Sequence, residues 1–125
     1  MSKYQKICTN IEISGINFKN GTIDIYFKDS DKYNLLIAYA DCCSESWFEL
    51  YNDNPIDQIV GKKIQSLQYV KDIDLPPSGV QERDINHIYR INFTDDTYYD
   101  FVLRNSSNGY YDGWLEIHRK KGSQK

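Results

Sequence analysis

The stretch Phe27-Lys28-Asp29-Ser30-Asp31-Lys32-Tyr33-Asn34-Leu35 returns later in the chain as Phe93-Thr94-Asp95-Asp96-Thr97-Tyr98-Tyr99-Asp100-Phe101, an offset of 93 − 27 = 66. Each copy is an aromatic strand end, a polar acidic turn and the start of a second strand, the pattern of a β-hairpin. After one inserted residue the echo resumes at 114 − 47 = 67, where Trp114, Glu116 and Ile117 answer Trp47, Glu49 and Leu50. The repeat predicts one β-unit used twice, with a Trp-x-Glu strand closing each copy.

Upstream of the echo, Ile11 to Phe18 reads as a strand with a bulge at Gly15, and Asn20-Gly21 supplies the positive φ of a tight turn. Ile23, Ile25 and Phe27 then alternate with Thr22, Asp24, Tyr26 and Lys28. Tyr33 to Ala40 returns with Tyr33, Leu35, Ile37 and Tyr39 on one side, and Trp47 to Tyr51 makes a further strand. Between the halves, Asn54 as cap, Pro55 at the first helical position and a stripe of Ile56, Ile59 and Val60 predict a short helix over 54–60, stopped by Gly61. Lys63 to Val70 loosely matches Lys6 to Ile13 and opens the second half. A long loop follows around Pro76-Pro77-Ser78-Gly79, with strands at His87 to Thr94, Thr97 to Arg104 and Tyr110 to His118. The expectation is a mainly β single domain over 1–125, an antiparallel sandwich, roll or barrel. Its repeat halves fall at 3–52 and 61–118, and a basic tail, 119–125, frays at the end.

Composition narrows the function. The chain has 125 residues, enough for one core, and eleven tyrosines that favour half-buried pleated surfaces. A net charge of −3 argues against a nucleic-acid partner, whose phosphates call for cations. No window approaches the roughly 20 apolar residues of a membrane helix, and Met1-Ser2-Lys3-Tyr4-Gln5-Lys6 leads into no secretory core. Three cysteines, Cys8, Cys42 and Cys43, are an odd count, which points to reduced thiols and a cytoplasmic setting.

Asp41-Cys42-Cys43, Trp47-x-Glu49, Ile59-Val60-Gly61 and the late Ser107-Asn108-Gly109-Tyr110-Tyr111 together resemble a family of small uncharacterised proteins of phages, bacteria and large DNA viruses. The resemblance runs from Ile11 to Ile117, and Ser44 departs from it where an acidic residue is expected. It implies a viral or phage context, with the host cytoplasm as the compartment, and carries no activity over.

Cys42 and Cys43 point to opposite faces of a strand, so one metal ion cannot easily take both, and no Cys-x-x-Cys spacing exists. A zinc site would need Cys8, His87 and Asp41 to join one of them. A thiol hydrolase would need His87 as base and Asp41 or Asp84 to orient it. His87 shares the parity of Tyr89, Ile91 and Phe93, which is that of a packing residue. The pattern therefore calls for no catalytic residue, metal or cofactor.

The two Trp-x-Glu strands carry more. Leu115 and Ile117 fit a core face, leaving Trp114 and Glu116 on the other; Phe48 and Leu50 likewise leave Trp47, Glu49 and Tyr51 outside. An aromatic wall beside a carboxylate suits a cation or a planar ligand. Ser106 to Gly113 adds Tyr110 and Tyr111 in a turn of the kind that makes adaptable contacts. The expected working surface is Trp47, Glu49, Tyr110, Tyr111, Trp114 and Glu116, on a non-enzymatic module that binds a protein partner. Edge strands also leave a homo-oligomer open. The rivals are a nucleotide or modified-base binder using Trp47 and Trp114, and a thiol or metal-assisted enzyme around Cys42, Cys43 and His87.

Overall fold

Ile23, Ile25 and Phe27 are buried together on one face of a six-residue strand in the computed structural model, which describes residues 6–40, 45–75, 83–107 and 113–122. Among the described residues there are eight strands: β1 (Ile13–Phe18), β2 (Thr22–Phe27), β3 (Lys32–Ala40), β4 (Glu45–Leu50), β5 (Ile64–Leu75), β6 (Arg83–Phe93), β7 (Tyr98–Ser107) and β8 (Gly113–Lys121). They form two antiparallel four-stranded sheets, ordered β1-β2-β3-β8 and β4-β7-β6-β5. The fold is mainly β and sandwich-like. The inner faces of both sheets feed one buried cluster, with Ile13, Ile25 and Leu36 from the first and Phe48, Ile64 and Phe101 from the second. Each such side chain contributes roughly 1.5–3 kcal/mol by leaving water.

The strand order has a consequence for the two halves. Each half is a three-stranded meander whose fourth strand leaves for the other sheet: β8 completes the β1–β3 sheet, and β4 completes the β5–β7 sheet. The registers agree in detail. Ile13 pairs with Phe27 and Ile64 with Phe93, and each pair is followed at once by a one-residue shift in β1 or β5. Asn10 donates its N–H to the Ile64 carbonyl and Gly61 donates to the Ile13 carbonyl, with positive φ at both Asn10 and Gly61. Glu12 and Lys63 face one another in an isolated bridge between these segments.

The echo slips in the turns. Tyr26 pairs with Tyr33 and Asn92 with Tyr98, so the offset falls from 92 − 26 = 66 before the turn to 98 − 33 = 65 after it. One residue reverses a strand's faces. Leu35, aligned with Phe101 by sequence, therefore faces away from the core while Phe101 is fully buried; the true counterpart of Phe101 is Leu36. The side of β3 carrying Tyr33, Leu35, Ile37 and Tyr39 is thus the outer one, and Asn34 and Leu36 are completely buried. Asn34 is tolerated because its Oδ1 accepts the Cys8 N–H at 2.8 Å and its Nδ2 donates to the Lys6 carbonyl at 3.1 Å.

Two expectations are corrected. The short helix expected over 54–60 is present only as a 3-10 helix, Ile56–Ile59, and a second 3-10 helix, Tyr51–Asp53, precedes it. Pro55 holds Asn54 extended, so Asn54 does not cap a helix, and Tyr99 Oη donates to its carbonyl at 2.6 Å. Ile56 and Ile59 are buried, while Val60 is exposed. The tail does not begin at 119: β8 runs to Lys121, which pairs with Lys32, and Arg119 Nε donates to the Lys6 carbonyl at 2.7 Å.

Candidate functional site

Strand parity sets Trp114 and Glu116 on the outer face of β8, with Leu115 and Ile117 buried beneath. The same parity sets Trp47 and Glu49 on the outer face of β4, above buried Phe48. In each pair the indole Nε1 donates to the carboxylate two residues on, Trp47 to Glu49 Oε2 and Trp114 to Glu116 Oε2, both at 2.9 Å. The pairs lie on different sheets, so they do not share one strand ladder. The ends of β4 and β8 nonetheless approach closely. A Cβ on Gly113 would clash with Ser46 Oγ and lie 2.8 Å from Asn105 Nδ2, so any larger residue would have to displace both side chains.

What faces each indole differs. Trp47 pairs with Arg104 across the ladder. The Arg104 guanidinium lies 5.4 Å from the Trp47 ring centroid, and its Nη1 is 3.3 Å from Glu49 Oε2. Indole, guanidinium and carboxylate thus close on one another. Trp114 pairs with Tyr39. The offsets 104 − 39 = 65 and 114 − 47 = 67 match those of the surrounding strands, so Tyr39 holds the place that Arg104 holds in the other sheet. The Tyr39 and Trp114 rings stack at 5.9 Å and 13°, and both are more than a third exposed. Among the described residues no guanidinium or ammonium lies over Trp114.

Glu116 also meets His118 Nε2 at 3.2 Å. Its carboxyl is held below the usual carboxylate range, first by the Trp114 indole N–H and then by His118. The Trp114 surface is therefore an aromatic shelf edged by a firmly ionised carboxylate.

Tyr110 and Tyr111 lie outside the described residues, as do Asp41, Cys42 and Cys43. Cys8 is half-buried against the core and free of any disulfide. His87 has the inward parity expected of it, and its Nδ1 is 2.6 Å from Asp72 Oδ1, a carboxylate the sequence reading had not singled out. Its Nε2 is buried and has no hydrogen-bond partner among the described residues. Among the described residues no three His, Cys, Asp or Glu side chains gather as a metal site, and no helix is long and apolar enough to cross a membrane.

Tyr39 and Arg104 are the site residues that sequence reasoning missed. Cross-strand partners depend on register, and a slip of one residue in the second turn hides it.

An all-β chain with two outward Trp–Glu pairs is the class this geometry defines. Residues 3–114 match the family described as a domain of unknown function, DUF7448, and the chain belongs to that family. An uncharacterised protein of Acanthamoeba polyphaga mimivirus is 62% identical over 111 residues, covering 89% of this chain and 88% of that protein. The resemblance to uncharacterised proteins of large DNA viruses holds on that ground. No solved structure matches the chain.

Proposed function

We infer that the chain is a non-enzymatic binding module of a large DNA virus, acting in the host cytoplasm, and that its contact surface is built on Trp114, Glu116 and Tyr39. Its partner is a protein that presents an arginine or lysine side chain. One observation carries this reading: the Trp47–Glu49 pair holds the Arg104 guanidinium, whereas the equivalent Trp114–Glu116 pair has a tyrosine in the arginine's place. The first pair displays the ligand that the second lacks. A cation over an exposed indole stabilises by about 0.5–1 kcal/mol, and more once water is excluded.

Trp47 and Glu49 belong to this surface as its internally satisfied counterpart. Tyr110 and Tyr111, outside the described residues, belong to this reading on the sequence pattern alone. The nucleotide-binding alternative gains less support, because the Arg104 side chain already occupies the Trp47 ring. The matched bulges, bridge and exchanged fourth strands support descent of both halves from one duplicated β-unit. The odd cysteine count and the mimivirus relative support the compartment and setting.

The test is a titration with a short arginine-containing peptide and its citrulline counterpart, followed by indole resonances in a two-dimensional NMR spectrum. The Trp114 indole N–H should move with arginine and stay still with citrulline, and the Trp47 indole should move little. Equal movement of both indoles, or of neither, removes the reading.

A further inference from the structure

Among the described residues β8 is an edge strand, with no strand paired on its outer side. Ala38 spends its N–H on the Gly21 carbonyl, on the β2 side of β3. In an antiparallel ladder the residue opposite, Leu115, must then direct its own backbone groups away from β3. With period two, so do Gly113, Ile117 and Arg119. Among the described residues no backbone hydrogen bond reaches this edge. The equivalent edge of β4 is capped at Phe48, whose N–H is taken by the Asn20 carbonyl at 2.6 Å.

Edges are normally blunted by proline, bulges, brevity or charged side chains. β8 has only the charges, in Arg119, Lys120 and Lys121, and otherwise runs nine residues in unbroken register against β3. Its outer face is instead written in two halves. Trp114 and Glu116 come first, an aromatic and an acid; His118 and Lys120 follow, both basic. Antiparallel pairing with a second copy reverses that order, so each half meets its complement.

The geometry points to a homodimer in which β8 pairs antiparallel with β8 of a second copy, centred on Ile117, joining two four-stranded sheets into one of eight. The odd-numbered residues own the free backbone groups, so odd must face odd. Centring on Ile117 then sets Trp114 against Lys120 of the other chain and Glu116 against its His118, each twice. These are the non-hydrogen-bonded positions, where opposed side chains come closest. On the inner face Ile117 meets itself, and Leu115 lies beside the stem of Arg119. Shifting the centre to Glu116 opposes two carboxylates, and shifting it to His118 opposes two imidazoles. This inference rests on the reading of Trp114 and Glu116 as a cation-accepting surface, and names Lys120 of a second copy as the cation.

The test is sedimentation equilibrium of the full chain over a wide concentration range, for the native protein, Lys120→Glu, Trp114→Lys and the double variant. Both positions are exposed, and circular dichroism with the melting midpoint checks that each variant folds. The native chain should dimerise, and each single variant should weaken the dimer about tenfold or more. The double variant should recover it, because the introduced ammonium of one chain would then face the introduced carboxylate of the other across the new ladder. A chain that stays monomeric throughout overturns the dimer, as does a dimer indifferent to Lys120→Glu or a double variant without recovery. If a strictly monomeric chain still shifts its Trp114 indole with the arginine peptide, the dimer falls and the cation-accepting surface stands.

Discussion

The surfaces around Trp47 and Trp114 are built alike and finished differently. Both rest on an edge strand that came from the other half, both face away from the core, and both tie the indole to a glutamate two residues on. At Trp47 the opposite strand supplies Arg104, so the charges are settled within the chain and the strand edge is capped by Asn20. At Trp114 the opposite strand supplies Tyr39, the carboxylate's polar neighbour is His118, and the edge is open. Equivalent positions in a repeated scaffold need not keep equivalent tasks. On the function proposed above, the Trp47 pair serves as a structural clasp, while the Trp114 pair keeps its aromatic and its charge for a partner.

The comparison breaks first if the two exchanged strands do not anchor their sheets equally. Phe48 in β4 and Leu115 in β8 stand at equivalent places, 115 − 48 = 67, and both are buried. Phe48→Ala should cost about 4 kcal/mol and Leu115→Ala about 3, measured by urea denaturation. A near-zero cost at Leu115 would mean that β8 is an appendage rather than a structural equal of β4.

A smaller effect sharpens the same symmetry in the cores. Asn34 and Tyr99 are equivalent, 99 − 34 = 65, and each ties down an irregular segment: Asn34 holds Lys6 and Cys8, and Tyr99 holds Asn54. Asn34→Ala strands two backbone groups and should cost about 2–3 kcal/mol. Tyr99→Phe strands one carbonyl that water can approach, and should cost about 1 kcal/mol. The Tyr99 hydroxyl, pushed up to about 12 by burial and Asp57, should resist alkaline ionisation in the ultraviolet spectrum of the folded chain.

The tryptophans themselves come next. Trp47→Ala uncovers the Arg104–Glu49 pair and should lower stability by roughly 1–2 kcal/mol without touching partner binding. Trp114→Ala should leave the melting midpoint nearly unchanged and abolish binding of the arginine peptide, read from the peptide's own resonances. If the two variants behave the same way in both measurements, the division between clasp and contact surface is wrong.

The smallest effect is electrostatic. The Glu116 carboxyl sits lower in the folded chain than in the unfolded one, first because of the Trp114 indole N–H. Its contribution to stability is therefore full above the unfolded value and is lost as pH falls through the folded value. Carbon-detected titration should show Glu116 ionising below that ordinary value. In Trp114→Phe the midpoint should climb back towards it, since phenyl has no donor.

Much of the local structure was legible. Binary alternation fixed the faces of β2, β4 and β8, because a strand between core and water repeats every two residues and little else can satisfy it. That was enough to turn both Trp–Glu pairs outward. In β3 alternation put Tyr33, Leu35, Ile37 and Tyr39 on one side without saying which: they lie outside, and Asn34 is completely buried. A buried amide is stable only where its partners stand, and those partners, Lys6 and Cys8, come from more than 25 residues away in sequence. At 54–60 the short helix was legible but its start was not: Pro55 suits an extended approach as well as a helical first turn, and here it is extended, so the 3-10 helix begins at Ile56.

By itself, then, the sequence determined the strands, most of their faces, the pairing of each tryptophan with a glutamate, and the family. Those follow from short-range periodicity and from residue types that carry their preferences anywhere. Only the tertiary structure decided that each half lends its last strand to the other, that Arg104 covers one indole and Tyr39 the other, and that one edge is sealed while its twin is open. These are matters of register between strands distant in the chain. A single residue more or less in a turn reassigns every partner without changing any local pattern.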